Sequence, residues 1–205
     1  MTLNAFCTTA PSGTRAARLP AVAARLLCLP YAGAGCEIYR HWRQWLTPRV
    51  EVLAPELPGR GLRVREPSVE RVAELAAALA SEAEPWLDRP LALFGHGMGA
   101  LVAFEILRQL RATGRPSPVH LFVSAQRAPH LPATQAPLHL LADGQFIAGV
   151  NARRGRAASH PADWVTAGGA GFLLPALRAD FKLLEQYEHR PGPALDVPVT
   201  VFGGI

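Results

Sequence analysis

Leu91-Ala92-Leu93-Phe94-Gly95-His96-Gly97-Met98-Gly99-Ala100-Leu101-Val102-Ala103 decides how this chain is read. An apolar run of strand character passes through three alternate glycines and continues unbroken into residues of helical period. In sequences of the form G-x-S-x-G, the flanking glycines permit a strained strand-to-helix reversal, and the central side chain stands above the sheet at the helix N-terminus. Gly95 and Gly99 hold the flanking places here, and Gly97 holds the centre. The turn is a nucleophile elbow without its nucleophile, because a glycine has no group to take up an acyl chain. A phosphate-cradling dinucleotide turn, G-x-G-x-x-G, would need glycine where Ala100 stands and an acid about twenty residues further on. Val119 and His120 occupy that place.

Working outward, short apolar runs alternate with segments of helical period. Strands are expected at 25–29, 50–54, 91–94, 120–124 and 197–202. Helices are expected at 37–46, 69–86, 98–112 and 174–187. Val69, Val72, Leu75, Ala76 and Leu79 form one stripe of the second, and Gly114 and Pro116 stop the third. Such alternation builds βα units around a parallel, doubly wound sheet. From 137 to 172 the pattern weakens and glycines accumulate, as an insertion on top of a sheet would do.

The 205 residues, 49% hydrophobic and 18% charged, suit one domain with a sizeable core. Of the 21 basic residues all but Lys182 are Arg, and apart from Arg153, Arg154 and Arg156 they are scattered along the chain instead of lying in runs, despite the net charge of +5. That disfavours a nucleic-acid partner. Cys7, Cys28 and Cys36 cannot form a full set of disulfides and fit no zinc spacing, so a reducing cytoplasm is expected. The other histidines, His41, His120, His130, His139, His160 and His189, lack ligand spacing on any one expected face, and no metal is expected. Residues 1–24 are expected to be a disordered extension, with the domain at 25–205. No window approaches the ~18 apolar residues of a membrane span.

Further segments carry a resemblance. Cys28-Leu29-Pro30-Tyr31-Ala32-Gly33-Ala34-Gly35 with Tyr39, Arg40 and Trp42 is similar to the first strand and oxyanion loop of type II thioesterases. Glu56-Leu57-Pro58-Gly59-Arg60-Gly61 with Arg63, Glu66 and Pro67 is similar to the loop after their second strand. Pro137-Leu138-His139-Leu140-Leu141, then Leu174 through Phe181 with Tyr187, resembles their lid region and the helix after it. The resemblance runs from about residue 25 to 205. It implies an α/β-hydrolase fold with a helical lid insertion at about 137–172, and an enzyme that removes acyl groups from the phosphopantetheine arms of acyl or peptidyl carrier proteins in polyketide and nonribosomal peptide biosynthesis. No cofactor is implied, and a monomer is expected. Carried over by position, the backbone amides of Ala32 and Met98 would form the oxyanion hole, and Gly97 would hold the nucleophile's place.

Two departures accompany the resemblance. Gly97 stands where the family has serine, and the sequence ends at Ile205 where family members continue into the loops that carry the acid and the histidine. The last βα portion is therefore expected to be missing, and the chain is expected to be catalytically impaired. Two other readings stay open: a non-catalytic module that binds carrier proteins or acyl chains, and a general esterase or lipase scaffold. His96 is expected to be a packed histidine, and Cys36 a weak candidate for a substitute nucleophile. Asp143, Asp163, Asp180 and Asp196 read as surface or capping residues.

Overall fold

The computed structural model describes residues 22–46, 49–154 and 170–203. Five strands, β1 (Ala24–Leu29), β2 (Val50–Leu53), β3 (Leu91–His96), β4 (His120–Ser124) and β5 (Val199–Phe202), form one sheet in the order β2-β1-β3-β4-β5. Every neighbouring pair is parallel. The helices are α1 (Trp42–Leu46), α2 (Val72–Glu82), α3 (Met98–Ala112), α4 (Asp143–Arg154) and α5 (Ala170–Glu185).

The strands are apolar on both faces because helices cover both, as a parallel sheet requires. Leu27, Leu29, Leu53, Leu93 and Leu121 point to one side, where they bury against Leu75 and Leu79 of α2, Ile106 and Leu107 of α3 and Leu183 of α5. Leu26, Cys28 and Val52 point to the other, against Tyr39, Trp42 and Phe94. Successive residues thus serve opposite layers, the period-two signature of a strand. At the far edge β5 keeps Val199, Val201 and Phe202 exposed.

The expected helix at 37–46 is two pieces, a 3-10 turn at Cys36–Tyr39 and then α1. Tertiary contacts on Tyr39 override the helical period. Its hydroxyl donates to the Leu29 carbonyl at 2.7 Å, and its ring packs edge-on against Trp42 and Phe94. The expected helix at 69–86 begins later, at Val72, and ends at Glu82 before a 3-10 turn containing Pro85, which has no N–H to continue the ladder. The fourth expected helix starts earlier, at Ala170. The proposed disordered extension lies almost wholly outside the described residues, as does 155–169 of the expected insertion. Among the described residues no helix is long and apolar enough to cross a membrane.

Candidate active site

The reversal at the end of β3 has the geometry its glycines foretell. Gly97 adopts φ +53° and ψ −120° between strand and helix, a conformation that L side chains rarely take. Its N–H donates to the Ser124 carbonyl at 2.8 Å, which ties the turn to the end of β4, and its own carbonyl accepts from Ala100 at 3.0 Å. The flanking glycines allow close backbone approach. A Cβ on Gly95 would lie 2.2 Å from the Gly99 carbonyl oxygen, and one on Gly99 would lie 2.1 Å from that of Leu29. Among the described residues, a Cβ on Gly97 would meet only Tyr31 within 4 Å, at 3.3 Å from its Cβ. The centre of the turn therefore has room for a side chain that the sequence does not supply.

Met98 opens α3 and is itself buried, so its side chain packs while its amide belongs to the first turn, where a helix has no carbonyl of its own to offer. His96 packs as expected. Its ring meets Tyr31 edge-on at 5.6 Å, its Nδ1 lies 2.9 Å from Ser124 Oγ, and burial holds its pKa below the ordinary histidine value.

Opposite the elbow, the loop after β1 turns tightly at Tyr31–Ala34. The Ala34 N–H donates to the Tyr31 carbonyl at 3.0 Å, and Gly33 has φ +84°, the left-handed conformation that a type II turn demands at its third residue. Long-range side chains hold this turn. The Gly33 N–H donates to Asp180 Oδ2 at 2.7 Å. Arg60 donates to both oxygens of the same carboxylate at 2.7 and 2.6 Å and also to the Ala34 carbonyl at 3.0 Å. Arg60 is 5% exposed and Asp180 2%. The reading of Asp180 as a surface or capping residue is thus corrected, because its charge is buried and matched by a guanidinium 120 residues away in sequence.

Below the loop, Cys36, Glu37 and Glu56 bring one ligand-type atom each within 4.8 Å of one another, a grouping that the sequence spacing does not reveal. Cys36 is buried and disulfide-bonded, so it offers no free thiol and the reading of it as a candidate substitute nucleophile is corrected; its Sγ lies 3.4 Å from Glu56 Oε2. Glu56 is also buried, and among the described residues its Oε1 has no hydrogen-bond partner. Burial, aided by the Glu37 charge, pushes its pKa above the usual carboxylate range.

The start of the expected insertion packs on α5. Leu138, Phe146, Val150, Leu177 and Phe181 form a separate apolar cluster, with Ala32 against it. Glu185 accepts from the backbone of Leu138 and His139, from His139 Nδ1 and from Arg153. Burial alone would raise its pKa, but these donors outweigh that effect and hold it below the ordinary value. Arg178 bonds the His139 and Leu141 carbonyls and Asp143, which is exposed at the start of α4 as its reading as a surface or capping residue expects. Asp163 lies outside the described residues. An apolar hollow lined by Phe104, Leu107, His189, Leu195 and Val199 includes neither the elbow nor the loop.

A family model described as thioesterase domain matches residues 24–204. The gramicidin S biosynthesis protein GrsT of Aneurinibacillus migulanus is 37% identical over 180 residues, which are 88% of this chain and 69% of that protein. The solved RedJ thioesterase from the prodiginine biosynthetic pathway in Streptomyces coelicolor is 40% identical with a TM-score of 0.79, covering 94% of this chain and 71% of that one. The type II thioesterase BorB from the borrelidin biosynthetic cluster is 37% identical, also with a TM-score of 0.79, over 88% of this chain and 72% of that one. Elbow, sheet order and relatives agree: the chain belongs to the thioesterase domain family, among type II thioesterases of nonribosomal peptide and polyketide pathways.

Proposed function

We propose that this chain binds acyl thioesters borne on the phosphopantetheine arm of acyl or peptidyl carrier proteins, in the cytoplasm, with the site of a type II thioesterase whose hydrolytic step is disabled at Gly97. The observation that carries this reading is the elbow itself: the strained backbone is kept, and among the described residues no side chain fills the space above it. The first-turn amide of Met98 and the amide of Ala32 are the donors for the thioester oxygen. Such donors act on charge that develops as the carbonyl becomes tetrahedral, and as backbone groups they do not require polar side chains at Ala32 or Met98. The attacking hydroxyl is what Gly97 lacks. In a comparable hydrolase the loss of the serine costs about 10⁶ in rate, roughly 8 kcal/mol of barrier, while binding and oxyanion donors retain about 10³ to 10⁴ over water. The apolar cluster of Leu138, Phe146, Val150, Leu177 and Phe181, continuous with Ala32, supports a lid that covers an acyl chain.

A non-catalytic module for acyl or carrier-protein binding is the same site without turnover, and Gly97 favours it over a general esterase scaffold. The test is hydrolysis of an acyl-phosphopantetheine carrier protein by this 205-residue chain, beside a Gly97→Ser form joined to the C-terminal segment of a family member. Turnover by the serine form alone supports the reading. Comparable turnover with glycine at 97 overturns it.

A further inference from the structure

We infer that Asp180 and Arg60 are positioning residues that aim the Ala32 amide, so that the oxyanion loop takes its setting from α5. The inference rests on the role proposed for Ala32. The Tyr31–Ala34 turn lies outside the strands and helices, and the side chains of this pair bond its backbone. Asp180 takes the Gly33 N–H and Arg60 takes the Ala34 carbonyl, so the peptide groups after Ala32 are gripped from both chemical sides. Because the Arg60–Asp180 contact is bidentate, the two grips share one rigid plane. Proteins remove such charges from water only at a cost that good geometry must offset, and a neutral apolar pair would cover the same core as well. What a neutral apolar pair cannot do is hold a backbone N–H and a backbone C=O of one turn at once.

The same helix anchors the other side of the site. Glu185, five residues beyond Asp180 on α5, holds the backbone of Leu138 and His139 and the side chain of Arg153 on α4. A shift of the 138–154 segment therefore acts on α5, and α5 acts on the turn through Asp180. The lid-side cluster reaches the loop directly as well, since Ala32 packs against it.

The test uses the full 205-residue chain with Arg60→Gln and Asp180→Asn together, which removes both charges and strands neither. Hydrogen exchange of peptides covering 31–36 should rise about tenfold or more, with 98–112 unchanged. Binding of an acyl-pantetheine analogue whose thioester is replaced by a phosphonate should weaken about tenfold, while the matching thioether, which has no oxygen to place, binds as before. Unchanged exchange at 31–36, or loss of protection at 98–112 to the same degree, overturns the inference, as does equal weakening of both analogues. If the unaltered chain binds neither analogue, the proposed function fails instead, and the exchange measurement alone decides whether the pair sets the loop. Arg60→Lys, which keeps the charge but not the bidentate contact, should give a smaller rise at 31–36. An effect equal to wild type there would also count against positioning.

Discussion

The two walls of the candidate site are built in opposite ways. The elbow is shaped by neighbours in sequence and by backbone alone: Gly95 passes under Gly99, Gly97 turns at φ +53°, and β4 supplies one carbonyl. The loop opposite is shaped by side chains from afar, Arg60 after β2 and Asp180 on α5, both buried and both charged. One wall therefore depends on the absence of side chains and the other on the exact pairing of two. The first rests on the backbone of its own five residues and on the carbonyls of Leu29 and Ser124. The second fails when either of two distant residues changes, which makes it the more vulnerable half of the site.

The sharpest way to break this contrast is Asp180→Ala, which leaves the Arg60 guanidinium buried without its partner. Loss of one member of a buried pair costs about 3–5 kcal/mol, so the melting temperature should fall by more than for any single change to an exposed acid. An unchanged melting temperature would show that the loop does not depend on this pair.

A smaller effect is expected at the elbow from Gly97→Ser. The new Cβ meets Tyr31 at 3.3 Å, a contact that a shift of a few tenths of an ångström relieves, but the backbone stays in a region that costs a non-glycine residue about 1–3 kcal/mol. Chemical denaturation should show a loss in that range with an unaltered slope. A gain in stability would mean that the turn relaxes away from the geometry described.

The smallest effect concerns the floor of the loop. Glu56 titrates above the usual carboxylate range when folded, through burial first and the Glu37 charge second. Between the unfolded and folded pKa values the folded chain keeps a proton that the unfolded chain has released, so stability is full below the usual range and falls as pH rises through the folded value. Glu56→Gln should remove that slope and raise the melting temperature at pH 7 more than at pH 4. Equal shifts at both pH values would refute the assignment of the proton to Glu56.

Much of the elbow wall was legible because its determinants sit within a few residues of one another. Strand character at 91–94, helical period from Met98 and glycines at 95, 97 and 99 together leave few alternatives, and α3 ends at Ala112 as Gly114 and Pro116 imply. The loop wall was only half legible. Arg60 and Asp180 both lie within segments that resemble the family, yet nothing in their spacing says that they meet, and Asp180 reads as an ordinary polar position of an amphipathic helix. Glu185 was missed for the same reason: its four donors come from residues 32 to 47 positions away. The helix expected at 37–46 failed where a tertiary contact, the Tyr39 hydroxyl on the Leu29 carbonyl, outweighed local period.

Sequence by itself determined the order of strands and helices, the site of the reversal and the want of a nucleophile at Gly97, because hydrophobic period and glycine act through bonds and neighbours along the chain. Only the tertiary structure decided which charges are buried together, how the Tyr31–Ala34 turn is held and what α5 connects. Those facts depend on contacts across 26 to 147 residues of chain, and a side chain's partner at that range is set by the packing of the whole sheet and its helices rather than by anything local.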